Sequence, residues 1–110
     1  MRAWQSLCRA TFAASEDVIR EFEKANNAKV RILKGGDAGA ALNRAILTKN
    51  NPLADVFFGV DNTFLSRALK ENIFAAYAAK DAAKIPAEFK LDPQNRVTPI
   101  DYGDVCLNYD

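Results

Sequence analysis

The sequence contains no histidine, and only two cysteines, one tryptophan and one methionine among its 110 residues. Without histidine, both the commonest metal ligand and the usual general base near neutral pH are missing. Cys8 and Cys106 stand far apart and in no metal-ligand spacing, which argues against a structural zinc site. Two readings remain for them: separate small thiols within a fold, or a disulfide made in an oxidising compartment. No nucleophile–base pair can be assembled from the spacing, so the chain is not read as an enzyme and no cofactor is implied.

Net charge is nearly absent as well, at a formal +1. That removes the electrostatic case for nucleic acid or an anionic membrane as partner. There is no block of like charge, no low-complexity tract and no apolar run long enough to span a bilayer. The opening stretch "MRAWQSLCRATFAAS" has its apolar residues interrupted by Gln5, Ser6 and Arg9, and makes a poor export signal. What is present is a composition of 49% hydrophobic and 26% charged residues, ordinary for one globular domain.

Ser15 followed by Glu16 and Asp17 reads as a helix start, a capping hydroxyl with acids in the first turn. Val18, Ile19, Phe22 and Ala25 then share one face. "KVRILK" reads as a short strand, "GGDAG" as a break with Asp37 near a helix N-cap, and Ala40 to Leu47 as a second amphipathic helix. "ADVFFGVDNTFL" follows, an apolar run with no polar face that leads into Gly59, Asp61, Asn62 and Thr63. Val56, Phe57 and Phe58 are expected to form a central strand buried on both sides, packed by Phe22, Leu42, Ile46, Phe64 and Leu69. A third helix follows from Phe64. Ala75 to Ala83 suggests a short helix, "KIPAEFKLDPQNR" a loop, and "VTPIDYGDVCLNYD" two strand-like pieces around Tyr102-Gly103-Asp104.

Strands alternating with helices imply an α/β fold, a mostly parallel sheet flanked by helices. Ligands of such sheets sit beyond the carboxyl ends of the strands. Asp61, Asn62 and Thr63 fall at such an end. They serve either as a helix cap alone, with Asn62 or Thr63 taking a backbone N–H, or also as a contact from the Asp61 carboxylate to a cationic or amino-bearing small molecule. The "KGGDAGAALN" loop lacks the spacing of a dinucleotide fingerprint or a P-loop. In "DYGD", Tyr102 offers a ring for stacking and Asp104 a charge for a cation, or the stretch is simply a bend.

Taken together, "ASEDVIREFEK", "GGDAGAALNRAI", "PLADVFFGVDNTFLSRAL", "IFAAY" and "VTPIDYGDVCLNYD" resemble thiamine-binding proteins of bacterial ABC importers, which are extracytoplasmic solute-binding proteins. The resemblance runs from about Thr11 to Asp110. It implies that residues 11–110 form part of the first lobe of a type II periplasmic-binding-protein-like fold. Such a receptor closes around thiamine or its phosphates outside the cytoplasmic membrane and delivers it to a membrane permease, with no chemistry of its own. On this likeness the ligand-binding residues are Phe12, Asp61, Asn62, Tyr102, Gly103 and Asp104, with no metal.

Two departures are visible. The family's members are well over twice as long, and Asp110 falls about where their second lobe begins. Their first strand ends in an Asp-Ser-Phe-like turn, where this chain has Ala10, Thr11 and Phe12, so residues 1–10 read as unrelated to it. A truncated, weakly binding receptor is the expectation, with a gap beside the third strand or a substitute strand from Ala3 to Cys8. The competing readings are a receptor for ferric iron, a polyamine or an aminophosphonate, and, in another class, a receiver-like signalling domain with Asp61 as phosphoacceptor. The latter needs acids after the first strand, and residues 1–12 hold none.

Overall fold

A computed structural model of the chain describes residues 2–8 and 12–103. They fall into two compact units, Met1–Ile73 and Phe74–Asp110. The first unit is α/β. Its elements run β1 (Arg2–Cys8), α1 (Glu16–Asn26), β2 (Ala28–Lys34), α2 (Ala38–Leu47), β3 (Val56–Phe58) and α3 (Asn62–Lys70).

Each helix begins where a short polar side chain satisfies an orphan backbone donor. Ser15 Oγ accepts the Val18 N–H at 3.4 Å, Asp37 Oδ1 the Ala40 N–H at 2.7 Å, and Asp61 Oδ1 the Phe64 N–H at 3.2 Å. Helix α1 stops at Asn27, which takes a left-handed conformation (φ 47°) and returns its N–H to the Glu23 carbonyl. Glu23 also accepts the Val30 N–H at 2.7 Å and lies 3.5 Å from Lys29 Nζ, so helix and following strand are tied together. The Val30 amide, with Lys29 adding to it, holds the Glu23 carboxyl below its ordinary range.

The three strands form one parallel sheet in the order β2-β1-β3. The β1–β2 register runs from Arg2 opposite Ala28 to Cys8 opposite Lys34, and the Gly35 N–H donates to the Cys8 carbonyl at 2.8 Å to extend it. Strand β3 pairs only Val56, Phe57 and Phe58 with Ser6, Leu7 and Cys8. The place beside the third strand, open to doubt in the sequence, is thus filled by β1.

This corrects the expected sheet order. The Val-Phe-Phe run is an edge strand of the described sheet, and β1 is its centre. Leu7 and Cys8, adjacent and therefore on opposite faces, are both buried, whereas Val56 is 51% exposed and Phe57 and Phe58 are half-buried. An apolar run with no polar face does not by itself distinguish a central strand from an edge strand whose aromatic rings fold against their neighbours. Phe22 is likewise 49% exposed on α1 and does not join the core, while Leu42 is fully buried and Ile46, Phe64 and Leu69 are half-buried.

The buried apolar residues among those described are Leu7, Cys8, Ala28, Ala41, Leu42 and Ala68. Small side chains let helix and sheet approach closely. At Gly35 the approach leaves no room for a side chain, because a Cβ there would lie 2.8 Å from Ala41 Cβ and 3.1 Å from Leu7 Cδ1. Cys8 is a free thiol with Ser6 Oγ at 3.1 Å, and Cys106 lies outside the described residues.

The second unit has no α-helix or strand among its described residues, only 3₁₀ turns at Ala82–Lys84 and Ala87–Phe89. The alanine-rich segment from Ala75 is therefore not helical over the expected span. It has neither a capping side chain nor an apolar stripe, and a short helix without packing is marginal in water. Residues 97–103 form no strand, and the expected strand beyond them lies outside the described residues. The best-buried of its described residues is a charge: Asp92, 4% exposed, accepts hydrogen bonds from the Gln94 and Arg96 amides and from Arg96 Nε and Nη2, the last three at 2.9 Å. No helix among the described residues is long and apolar enough to cross a membrane.

Candidate functional site

All three strands are parallel, so their carboxyl ends open onto one edge of the sheet. From β1 the chain crosses to β2 on one side, and from β2 it crosses back over to β3 on the other. The connections therefore diverge between β1 and β3, the topological switch point at which α/β sheets leave a crevice.

Three residues named from the sequence, Phe12, Asp61 and Asn62, lie at this edge. Phe12, in the connection from β1 to α1, sets its ring edge-to-face against Phe58 at the end of β3, with centroids 4.9 Å apart and planes at 72°. Gly59 follows with φ 115°, a conformation that disfavours any side chain, and turns the chain from β3 toward Asp61. Asp61 is the N-cap of α3, with Asn62 the exposed first residue of the helix. Among the described residues, hydrogen bonds engage Asp61 through Oδ1 and its carbonyl, and leave Oδ2 uncommitted. The cap is thus Asp61 itself, not Asn62 or Thr63, and this half-buried residue retains one uncommitted carboxylate oxygen just beyond an edge strand.

The start of α2 lies alongside. A Cβ on Gly39 would come within 3.3 Å of Phe64 Cζ, so the first turns of α2 and α3 abut. Two helix N-termini, each capped by an aspartate, consequently face the same edge. Their aligned N–H groups favour an acceptor, while Asp37 and Asp61 favour a donor or a cation. A small polar molecule with both kinds of group is what such an edge can hold. Among the described residues no group of three or more cysteine, aspartate or glutamate side chains is placed to hold a metal ion.

Tyr102 and Gly103 belong to the second unit. Tyr102 is 77% exposed and stacks on Phe89 with centroids 4.5 Å apart and planes at 17°. A side chain at Gly103 would meet nothing within 4 Å. Asp104, and the Ala10–Thr11 part of the first turn, lie outside the described residues. Three partnerships had no signal in local spacing: Phe58 with Phe12, Phe89 with Tyr102, and Asp55 with Gln5. The Asp92 loop did carry a signal, since Asp-Pro opens turns of this kind.

Most of the chain is similar in sequence to periplasmic binding proteins. Over 94 residues, 84% of its length, it is 33% identical to the thiamine-binding periplasmic protein of Salmonella typhimurium, and equally so to that of Escherichia coli K12. Over 72 residues it is 35% identical to a probable ABC transporter periplasmic-binding protein of Sinorhizobium fredii. It spans 28% of the length of the first two relatives and 20% of the third. No family model matches the chain. These likenesses support a periplasmic-binding-protein family for this chain, and the three-stranded parallel sheet flanked by helices is compatible with it.

Proposed function

We propose that the chain acts in solute capture for an ABC importer, with thiamine or a thiamine phosphate as ligand, outside the cytoplasmic membrane, and with a membrane permease as the partner that receives it. Residues 11–110 are read as part of the first lobe of such a receptor. The observation that carries the reading is Asp61, whose uncommitted carboxylate oxygen stands at the carboxyl edge of a parallel sheet in a chain similar to two thiamine-binding periplasmic proteins.

In this reading Asp61 Oδ2 accepts a hydrogen bond from an amino group of the ligand, or pairs with its cationic ring. The Phe12–Phe58 pair supplies an apolar aromatic surface beside it. Asn62, exposed on the first turn of α3, offers a further donor and acceptor. Nothing in the arrangement transfers a group or a proton, and the work is recognition alone. A single sheet edge is one wall, and tight binding of a small molecule needs most of its surface buried. The affinity of this chain by itself is therefore expected to be on the order of millimolar.

The test is an NMR titration of the chain with thiamine and thiamine monophosphate, in parallel with spermidine, ferric citrate and 2-aminoethylphosphonate. Saturable shifts of the Asp61, Asn62 and Phe64 amides with the thiamine compounds, and weaker or none with the others, are the expected result. A stronger response to one of the other three would assign a different ligand.

A further inference from the structure

We propose that Phe89 is a positioning residue, which holds Tyr102 so that the ring's outer face receives a flat, cationic heteroaromatic ring. The inference builds on the receptor reading for its choice of ligand, but its evidence lies wholly in the second unit. An exposed tyrosine ordinarily samples several rotamers, and the ring of Tyr102 is instead fixed parallel to that of Phe89 at 4.5 Å. Phe89 is itself set by a 3₁₀ turn. Pro86 precedes that turn with φ −55°, the Phe89 N–H donates to the Pro86 carbonyl, and the Lys90 N–H donates to the Ala87 carbonyl, each at 3.1 Å.

Phe89 therefore covers one face of Tyr102 and leaves the other to solvent, which accounts for a residue that is both stacked and largely exposed. The face of a phenol ring is electronegative, and the neighbour of Tyr102 in sequence, Asp101, is an exposed acid. A cationic heteroaromatic ring matches both features, whereas an anion or a bulky aliphatic matches neither.

The experiment is a titration of the chain, with ¹³C-labelled tyrosine rings, against thiamine and separately against N-methylpyridinium. Tyr77, which is also exposed, serves as the internal control, and the Tyr102 signal is assigned with Y102F. Wild type should show a ring-current shift at Tyr102 larger than at Tyr77 with both probes. F89L keeps an apolar side chain but loses the flat face, and should weaken both interactions about three- to tenfold with no change in the Arg96 loop signals. F89L combined with Y102A should be no worse than Y102A alone.

A response to N-methylpyridinium without one to thiamine would support the platform and contradict thiamine as ligand. Thiamine shifts confined to the Asp61 region would leave the receptor reading standing and overturn the platform. Equal shifts at Tyr77 and Tyr102, no shift with either probe, or additive losses in the double variant would each overturn it as well.

Discussion

Asp55 and Gln5 hold each other through two hydrogen bonds. The Asp55 N–H donates to the Gln5 carbonyl at 2.8 Å, and the Gln5 N–H donates to Asp55 Oδ2 at 2.9 Å. The clamp lies one residue before β3, a strand of only three residues, and fixes its register against β1. A one-residue slip would exchange the faces presented by Phe57 and Phe58 and separate Phe58 from Phe12. Replacing Asp55 by Ala should lower stability by about 0.5–1.5 kcal/mol, because the pair is exposed and water partly replaces the bond. Urea unfolding measures the loss, and faster hydrogen exchange at the Gln5 amide localises it. An unchanged Gln5 exchange rate would mean that the clamp does not hold the register.

Gly35 tests the closeness of α2 to the sheet. Its substitution by Ala puts a methyl group 2.8 Å from Ala41 Cβ, inside contact distance. The expected cost is about 1–3 kcal/mol from overpacking. Leu42→Ala probes the same region from the opposite direction, as a cavity in the core, and should cost about 2–5 kcal/mol. Thermal or urea midpoints give both values. A neutral Gly35→Ala would indicate that α2 sits farther from the sheet.

Asp92 sets an acid limit on its loop. Its hydrogen bonds with the Arg96 side chain, and then with the Arg96 and Gln94 amides, lower its pKa from 3.8 to about 2. As pH falls through 3.8 the unfolded chain takes up this proton first, while the folded loop stays ionised until about 2. The carboxylate therefore contributes its full stabilisation above 3.8 and loses it progressively as pH falls toward 2. Following the Arg96 Nε–H resonance with pH should give a midpoint near the lower value. A midpoint at 3.8 would mean that the pair is not formed in solution, and Arg96→Gln should move the titration in that direction.

How much of this was legible in the residues depended on whether the cause was local. Ser15 and Asp37 announced helix starts because a cap is made with an amide three residues on, whereas the cap of α3 is Asp61 and not the Asn62 or Thr63 that the sequence suggested. The α/β class followed from the alternation of strand and helix patterns. The sheet order did not, because Val56–Phe58 and Arg2–Cys8 are far apart in sequence and the apolar pattern is silent on which becomes the edge. Phe22 shows a related limit: it lies on the apolar stripe of α1, yet the stripe alone does not say that the helix buries it. Of the candidate ligand residues, Phe12 and Asp61 share one sheet edge, a consequence of parallel topology. Tyr102 acquired its setting from Phe89, a loop residue that no periodicity marks.

The central claim is that Asp61 contacts a ligand as well as capping α3, and one substitution separates the two roles. Asparagine caps a helix as well as aspartate does, so Asp61→Asn should leave the urea midpoint almost unchanged. It removes the negative charge and with it a charge-assisted hydrogen bond worth roughly 1.5–3 kcal/mol, on the order of tenfold or more in affinity. The decisive measurement is a thiamine titration of Asp61→Asn beside the wild-type chain, followed through the Phe64 amide and ligand ring protons. The account requires a folded variant whose thiamine affinity is lower by about an order of magnitude. Equal affinity in the two proteins would contradict it and reduce Asp61 to a helix cap.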